Sequence, residues 1–309
     1  MTMKFESERT IYSQISINRL KTVVLMIVFT VFITAMVYIF TQALGYQSSS
    51  GLLFVGAALI ATGVMNYLAY FNSDKMVMKI AGAQIVDVKS HPHLFKLVEN
   101  LSIGSGLPMP KTYVIPDDAP NAFATGRDPN HASIAVTTGL LDVMNKNELE
   151  GVLAHELSHI GNYDTRLMTV VVILVGIIAM LADFFSHFMF FGGNNDDNRE
   201  SRNGLFLVLG ILAAILAPIA AQLIQLAVSR KREYLADATG SLLTRYPDGL
   251  ADALEKIAAY QKPVKSATPA TAHLYISNPL GSGHFKRSFA NLFSTHPPVE
   301  DRIRILREM

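Results

Sequence analysis

The sequence predicts a mainly α-helical integral membrane protein, with about four membrane-crossing helices and a water-soluble α+β domain built on a small sheet. Three observations lead there. Hydrophobic residues make up 50 % of the 309 and charged residues only 17 %, apolar-heavy for a soluble chain. The apolar residues gather into four segments long enough to cross a bilayer, which takes roughly 20 helical residues. Two polar stretches, between and after these segments, carry helix and strand patterns of their own. A formal net charge of +1 argues against a nucleic-acid partner. The chain has no cysteine, which rules out disulfides and thiolate metal sites and suits a reducing compartment.

The apolar segments run from Thr22 to Phe40, Gly51 to Phe71, Leu167 to Phe191 and Gly204 to Val228. The first has a long polar leader and reads as a retained anchor rather than a cleaved signal. Lys4, Arg9, Arg19 and Lys21 precede it, Lys75 and Lys79 follow the second segment, and Arg230 to Arg232 follow the fourth. If every segment crosses, all three basic clusters fall on one side, which the positive-inside rule makes cytoplasmic. Residues 1–21 are then a cytoplasmic tail and 22–71 a transmembrane hairpin. Residues 72–166 form the first part of a cytoplasmic domain, 167–228 a second hairpin, and 229–309 the second part of that domain.

Within the cytoplasmic pieces, "HPHLFKLVENLSIGSG" from His91 reads as an amphipathic helix stopped by glycines. "PKTYVIP" and "HASIAVTTG" read as strands, and "DDAPNAFATGRDPN" between them is rich in turn formers. "NKNELEGVLAHELSHIG" opens with an Asn cap and early acidic residues, and continues as a helix.

That last helix carries the chemistry. His155 and His159 are four apart, on one helical face, and can grip a single ion. Imidazole suits zinc, and a site with an open position is hydrolytic rather than structural. Bound zinc would acidify a coordinated water toward a pKa of about 7, and Glu156, beside the first histidine, is placed to take its proton. A third protein ligand is needed. If the last two apolar segments form an antiparallel hairpin, "SRKREYLADATG" returns to the same membrane end as the metal helix. His159 lies eight residues before the third segment and Glu233 five after the fourth, each about 10 Å above the boundary as helix. Glu233 and Asp237 also stand at i and i+4, so one can bind metal while the other orients a ligating histidine.

"HELSHIGNYD", "SRKREYLAD", "PNAFATG" and "STHPPVEDRI" together resemble the HtpX family of membrane-embedded zinc endopeptidases, relatives of the CAAX prenyl proteases. The motifs follow the family's order over nearly the whole chain. The resemblance implies a zincin-like catalytic domain holding one zinc ion per chain through His155, His159 and Glu233, with Glu156 as general base. It makes Asp237 a partner of the ligands and gives Asp164 a supporting role. Asn121, Ala122 and Phe123 would lie on an edge strand that receives substrate backbone; the residues alone read as a turn. His296 and Arg302 would face the scissile carbonyl and stabilise its oxyanion.

His91, His93, His131, His273 and His284 read as surface or loop histidines, and Asp183 and His187 as outer-interface residues. The stretch from Lys262 to Phe293 carries no interpretable signal. The expected function is a zinc endopeptidase of the bacterial inner membrane. It would cleave membrane or misfolded proteins on the cytoplasmic side in stress-related quality control, with lipid bilayer and polypeptides as partners. The alternative is a catalytically silent membrane scaffold with a structural zinc site; a prenyl-protein peptidase is a weaker variant.

Overall fold

The computed structural model describes residues 11–43, 48–191, 223, 229–260, 262–280 and 297–309. Its helices are α1 (Ile11–Ala43), α2 (Ser48–Ile80), α3 (Pro92–Ser105), α4 (Thr138–Val143) and α5 (Lys146–Gly161), then α6 (Asp164–Phe191), α7 (Arg230–Thr244), α8 (Pro247–Ala259) and α9 (Val299–Arg307). Its strands are β1 (Gln84–Ile85), β2 (Lys111–Ile115), β3 (Ala122–Gly126) and β4 (Ala132–Thr137).

Helices α1 and α2 contain stretches, Leu20–Ile39 and Gly51–Ile80, long and apolar enough to cross a membrane. Ile27, Val31, Leu53 and Ile60 on their outer faces are exposed, as suits side chains solvated by lipid. Between the two helices Asn66 Nδ2 donates to Thr30 Oγ1 at 2.7 Å, satisfying polar groups that hydrocarbon cannot. Helix α2 does not stop at Phe71. It runs on to Ile80, and its last turns bury Val77 and Met78 beneath the sheet. The third apolar segment lies within α6, whose residues from Leu167 to Val175 are buried and pack on α1 and α2. The fourth, Gly204 to Val228, falls outside the described residues except for Leu223.

The four-stranded sheet has the order β1-β2-β4-β3, with β2 and β4 parallel and the other pairs antiparallel. Its side chains alternate between two layers, as the strand period of two requires. Ile115, Phe123 and Ala135 join Val77, Met78 and Leu167 on the side of the long helices. Val114, Ala122, Ala124, Ile134 and Val136 join Leu101, Val152 and Leu157 of α3 and α5 on the other. Strand β3 lies where local composition alone suggests a turn. Burial of Ala122, Phe123 and Ala124 on both faces makes it a strand, and the turn formers act before and after it, where Asp117 accepts the Ala119 N–H and Asp128 the His131 N–H.

Helix α3 ends on left-handed Gly106 (φ 68°). Helix α5 begins with a full capping box: Asn145 accepts the Glu148 N–H at 3.0 Å and Glu148 accepts the Asn145 N–H at 2.8 Å. Almost every residue of α5 from Leu149 to Ile160 is buried, because the sheet, α7 and α8 enclose it. Gly240 makes the close crossing of α7 over α5 possible. A Cβ there would stand 3.0 Å from the backbone nitrogen of His155. Gly240→Ala should therefore force the helices apart at the metal helix and destabilise the protein by about 1–3 kcal/mol. Thermal unfolding in detergent checks this; an unchanged midpoint would show that the crossing is looser than described.

Candidate metal centre

The i,i+4 step of α5 brings His155 and His159, 0 % and 5 % exposed, ring to ring with their Nε2 atoms 3.2 Å apart. Glu233, in the first turn of α7, completes the group. Its Oε1 lies 3.5 Å from His159 Nε2 and its Oε2 4.0 Å from His155 Nε2. One ligand atom from each of the three residues lies within 4.8 Å of the others. Two nitrogens each about 2.0–2.1 Å from a tetrahedral zinc stand about 3.3 Å apart, so the pair already has zinc spacing.

The opposite ring nitrogens are held by carboxylates. His155 Nδ1 is 2.9 Å from Asp237 Oδ1, and His159 Nδ1 is 3.2 Å from Asp164 Oδ2. A carboxylate on Nδ1 keeps the proton there and turns the Nε2 lone pair toward the metal position. Asp237 reaches its place one helical turn beyond Glu233. Asp164 does so through a sharp two-residue turn, with Tyr163 in the left-handed region (φ 59°) and α5 and α6 bent by 85°. Asp164 also accepts Asn18 Nδ2 at 3.1 Å and lies 3.6 Å from Arg232 Nη1.

Arg302 is 2 % exposed and fully committed. Its Nε and Nη2 donate to Asp237 at 2.8 and 2.7 Å, its Nη1 donates to the Ile276 carbonyl at 2.9 Å, and Nη1 is 3.6 Å from Glu233 Oε2. The guanidinium thus grips the metal-binding helix rather than standing free opposite a substrate carbonyl. His296 lies outside the described residues. Glu156 is 1 % exposed, and its Oε1 has no hydrogen-bond partner among the described residues.

The electrostatics follow from burial and these partners. Burial lowers His155 to about 4, against the opposing pull of Asp237. Burial also works to lower His159, but Asp164, Glu233 and Glu156 outweigh it and raise the group to about 9. Burial pushes Glu156 up to about 7, opposed by the charge of His159 and by the N–H of Ala124 on β3. Burial would raise Asp237, but Arg302 and His155 bring it down to about 2. The pocket favours one added positive charge even when protons alone compete for it. Two bare imidazole nitrogens, a carboxylate and a neighbouring unpartnered carboxylate oxygen fit zinc, with Glu156 left outside the ligand set.

Strand β3 is the sheet edge beside Glu156. Its first half is covered by the chain itself: Phe123 bridges Tyr275, the Ile276 N–H donates to the Ala122 carbonyl at 2.9 Å, and Asn121 Nδ2 donates to the Ser277 carbonyl at 3.1 Å. Ala122 and Phe123 are therefore on the strand, with Asn121 just before it, while Ala124 presents its backbone N–H to Glu156. Tyr275 and Ile276 come from the stretch that was silent in sequence, since "LYIS" carries no polar or spacing signal. His273, expected at the surface or in a loop, sits in a short turn but is wholly buried, 3.1 Å from the Met168 carbonyl.

Comparison with known proteins joins this geometry to a family. Residues 89–309 match Peptidase family M48. The chain belongs to that family. A "Protease HtpX homolog" from Dictyoglomus thermophilum is 44 % identical over 300 residues, covering 97 % of this chain and 95 % of its own. Another, from Tropheryma whipplei (strain Twist), is 44 % identical over 298 residues, covering 96 % and 98 %. A third, from Syntrophobacter fumaroxidans, is 48 % identical over 254 residues, covering 82 % and 88 %. The crystal structure of S. mikatae Ste24p aligns at 17 % identity with a TM-score of 0.47, covering 93 % of this chain and 67 % of that one. With its two membrane-length apolar helices, this M48 member is a membrane-bound metalloprotease whose metal is zinc and whose substrates are proteins.

His155→Ala, His159→Ala and Glu233→Ala should each weaken zinc retention by more than the roughly 10–100-fold typical of losing an outer partner; metal analysis after chelator challenge measures it. Arg302→Met should lower stability by about 3–5 kcal/mol, because it leaves Asp237 buried without its counter-charge. A thermal midpoint equal to wild type would mean Asp237 is compensated elsewhere.

Proposed function

We propose that this protease hydrolyses internal peptide bonds of membrane-embedded or unfolded polypeptides at the cytoplasmic face of a bacterial inner membrane, in stress-related quality control. His155, His159 and Glu233 hold one zinc ion, Glu156 is the general base, and Asp237 and Asp164 orient the histidines. The observation that carries the reading is the unpartnered Oε1 of Glu156, buried beside the His–His–Glu group. A silent scaffold with a structural metal would gain nothing from such a group, whose isolation costs desolvation energy.

Zinc, when bound, supplies Lewis acidity, polarising a carbonyl and acidifying water. Glu156 Oε1 takes the proton of the attacking water and delivers it to the leaving amine. A carboxyl group pushed up to about 7 is suited to both transfers near neutral pH. An extended substrate lies along β3 and donates a main-chain hydrogen bond to the Ala124 carbonyl, while Asn121, Ala122 and Phe123 shape its far end with the 275–277 segment. Arg302 acts on the chemistry by fixing Asp237 and the Ile276 carbonyl, and His296 is the remaining candidate for contact with the oxyanion. Four crossings, with the last two apolar segments as a second hairpin, bring the two halves of the domain to one side. The bilayer is the protein's permanent partner, and a net charge of +1 gives no basis for a nucleic-acid one.

Glu156→Gln keeps size but cannot take a proton, so zinc content should match wild type while cleavage of an unfolded protein falls at least about 100-fold. Equal cleavage by both would remove Glu156 from the mechanism. Inactivity of fully zinc-loaded wild type toward unfolded and membrane substrates would favour the scaffold. For topology, a cysteine at Asn195 should label from outside the membrane and one at Ser266 only after lysis. Labelling of both from one side would contradict the second hairpin.

A further inference from the structure

The spacing within α5 and α7 accounts for the two histidines, Glu233 and Asp237, but not for Asn18. This residue sits at the foot of α1, two positions before the apolar stretch Leu20–Ile39, and is 3 % exposed. Its Nδ2 donates to Asp164 Oδ1 at 3.1 Å, across 146 positions of sequence. The second oxygen of that carboxylate, Oδ2, lies 3.2 Å from His159 Nδ1. Arg232 also approaches Oδ1, at 3.6 Å, well beyond the roughly 2.7–2.9 Å of a charge-assisted hydrogen bond, so Asn18 is the nearer donor. Asn18 lies outside residues 89–309, the part of the chain that matches the family.

A carboxylate bound at one oxygen only can rotate and swing away from its imidazole. Bound at both, it holds the ring. Asn18 is suited to this task because its amide donates to Oδ1 at hydrogen-bond distance, nearer than Arg232, and leaves Oδ2 to the His159 ring. We propose that Asn18 is a positioning residue for the metal centre: through Asp164 it fixes the His159 ring, so that seating of the first membrane helix and affinity for zinc are coupled. The proposal rests on the assignment of His155, His159 and Glu233 as metal ligands. It implies that the protease holds its metal at full strength only when α1 is docked, which ties metal loading to insertion of the N-terminal helix.

The test uses the full chain in detergent, with zinc affinity measured by chelator competition and ligand geometry read from the absorption bands of the cobalt-substituted protein. Asn18→Ala should weaken zinc binding roughly 10-fold, the low end for an outer partner, and shift the cobalt bands. Asp164→Ala should weaken it at least as much, and the double variant should be no weaker than Asp164→Ala alone, since both act through one carboxylate. Thr22→Val, one turn along the same buried face, removes only a hydroxyl bonded back to the Asn18 carbonyl and should bind zinc like wild type. Wild-type affinity and cobalt bands in Asn18→Ala would overturn the proposal, as would losses that multiply in the double variant or an equal loss in Thr22→Val, because each would reduce Asn18 to a packing residue. If the double variant does not fold, the cobalt bands of Asn18→Ala alone decide: unchanged bands overturn the coupling. Retention of zinc by Glu233→Ala would overturn the metal assignment beneath it, a result distinct from all of these.

Discussion

Charge neutrality in a buried pocket is the constraint on which the rest of this structure depends. Glu156, Asp164, Glu233 and Asp237 are each at most 3 % exposed around two buried imidazoles. Arg232 lies beside Asp164, and Arg302 beside Glu233 and Asp237, two guanidinium groups among these four carboxyl groups. Isolated charges cannot be held in a protein interior at acceptable cost. A divalent cation at the two Nε2 atoms and Glu233 would offset these negative groups, and the same neighbours, Asp164, Glu233 and Glu156, outweigh burial and raise His159 to about 9. Burial in the same pocket raises Glu156 to about 7, which suits it to exchange a proton near neutral pH.

That constraint explains the packing. The ligands come from α5 and α7, which the apolar region of residues 164–228 separates in sequence. Gly240 lets these helices touch at His155, and the wall is completed by Asp164 at the head of α6, Arg302 from α9 and Asn18 from α1. Apart from Asp164 with His159, which one sharp turn separates, these contacts join segments distant in the chain, so the metal site is the knot of the tertiary structure rather than a local motif. Metal binding free energy is then folding free energy for the assembled domain.

Much of this was legible in the sequence, for identifiable reasons. A helix period places His155 and His159 on one face from spacing alone, and the capping signature of Asn145 and Glu148 fixes where that helix starts. Glu233 and Asp237 followed from a topological argument, return to the same membrane end, reinforced by the family resemblance. What escaped was set by contacts over long sequence distance. Strand β3 was hidden by Pro120, Asn121 and Gly126, because its strand character comes from burial on both faces. Tyr275 and Ile276 pair with β3 through backbone atoms that no side-chain pattern reports. Arg302 was legible as a site residue, yet its fork on Asp237 depends on where α9 lands. Asn18 carries no signal of its role, because nothing in its surroundings names a partner 146 positions away.

The most direct test of the account is backbone hydrogen exchange of the purified protein before and after zinc removal by a chelator. If a divalent cation is what neutralises the pocket and joins α5 to α7, protection of both helices around His155 to His159 and Glu233 to Gly240 should fall together when zinc leaves. It should recover on adding zinc but not magnesium, which prefers an all-oxygen octahedral shell. Exchange in both helices that stays the same after verified zinc loss would contradict the account.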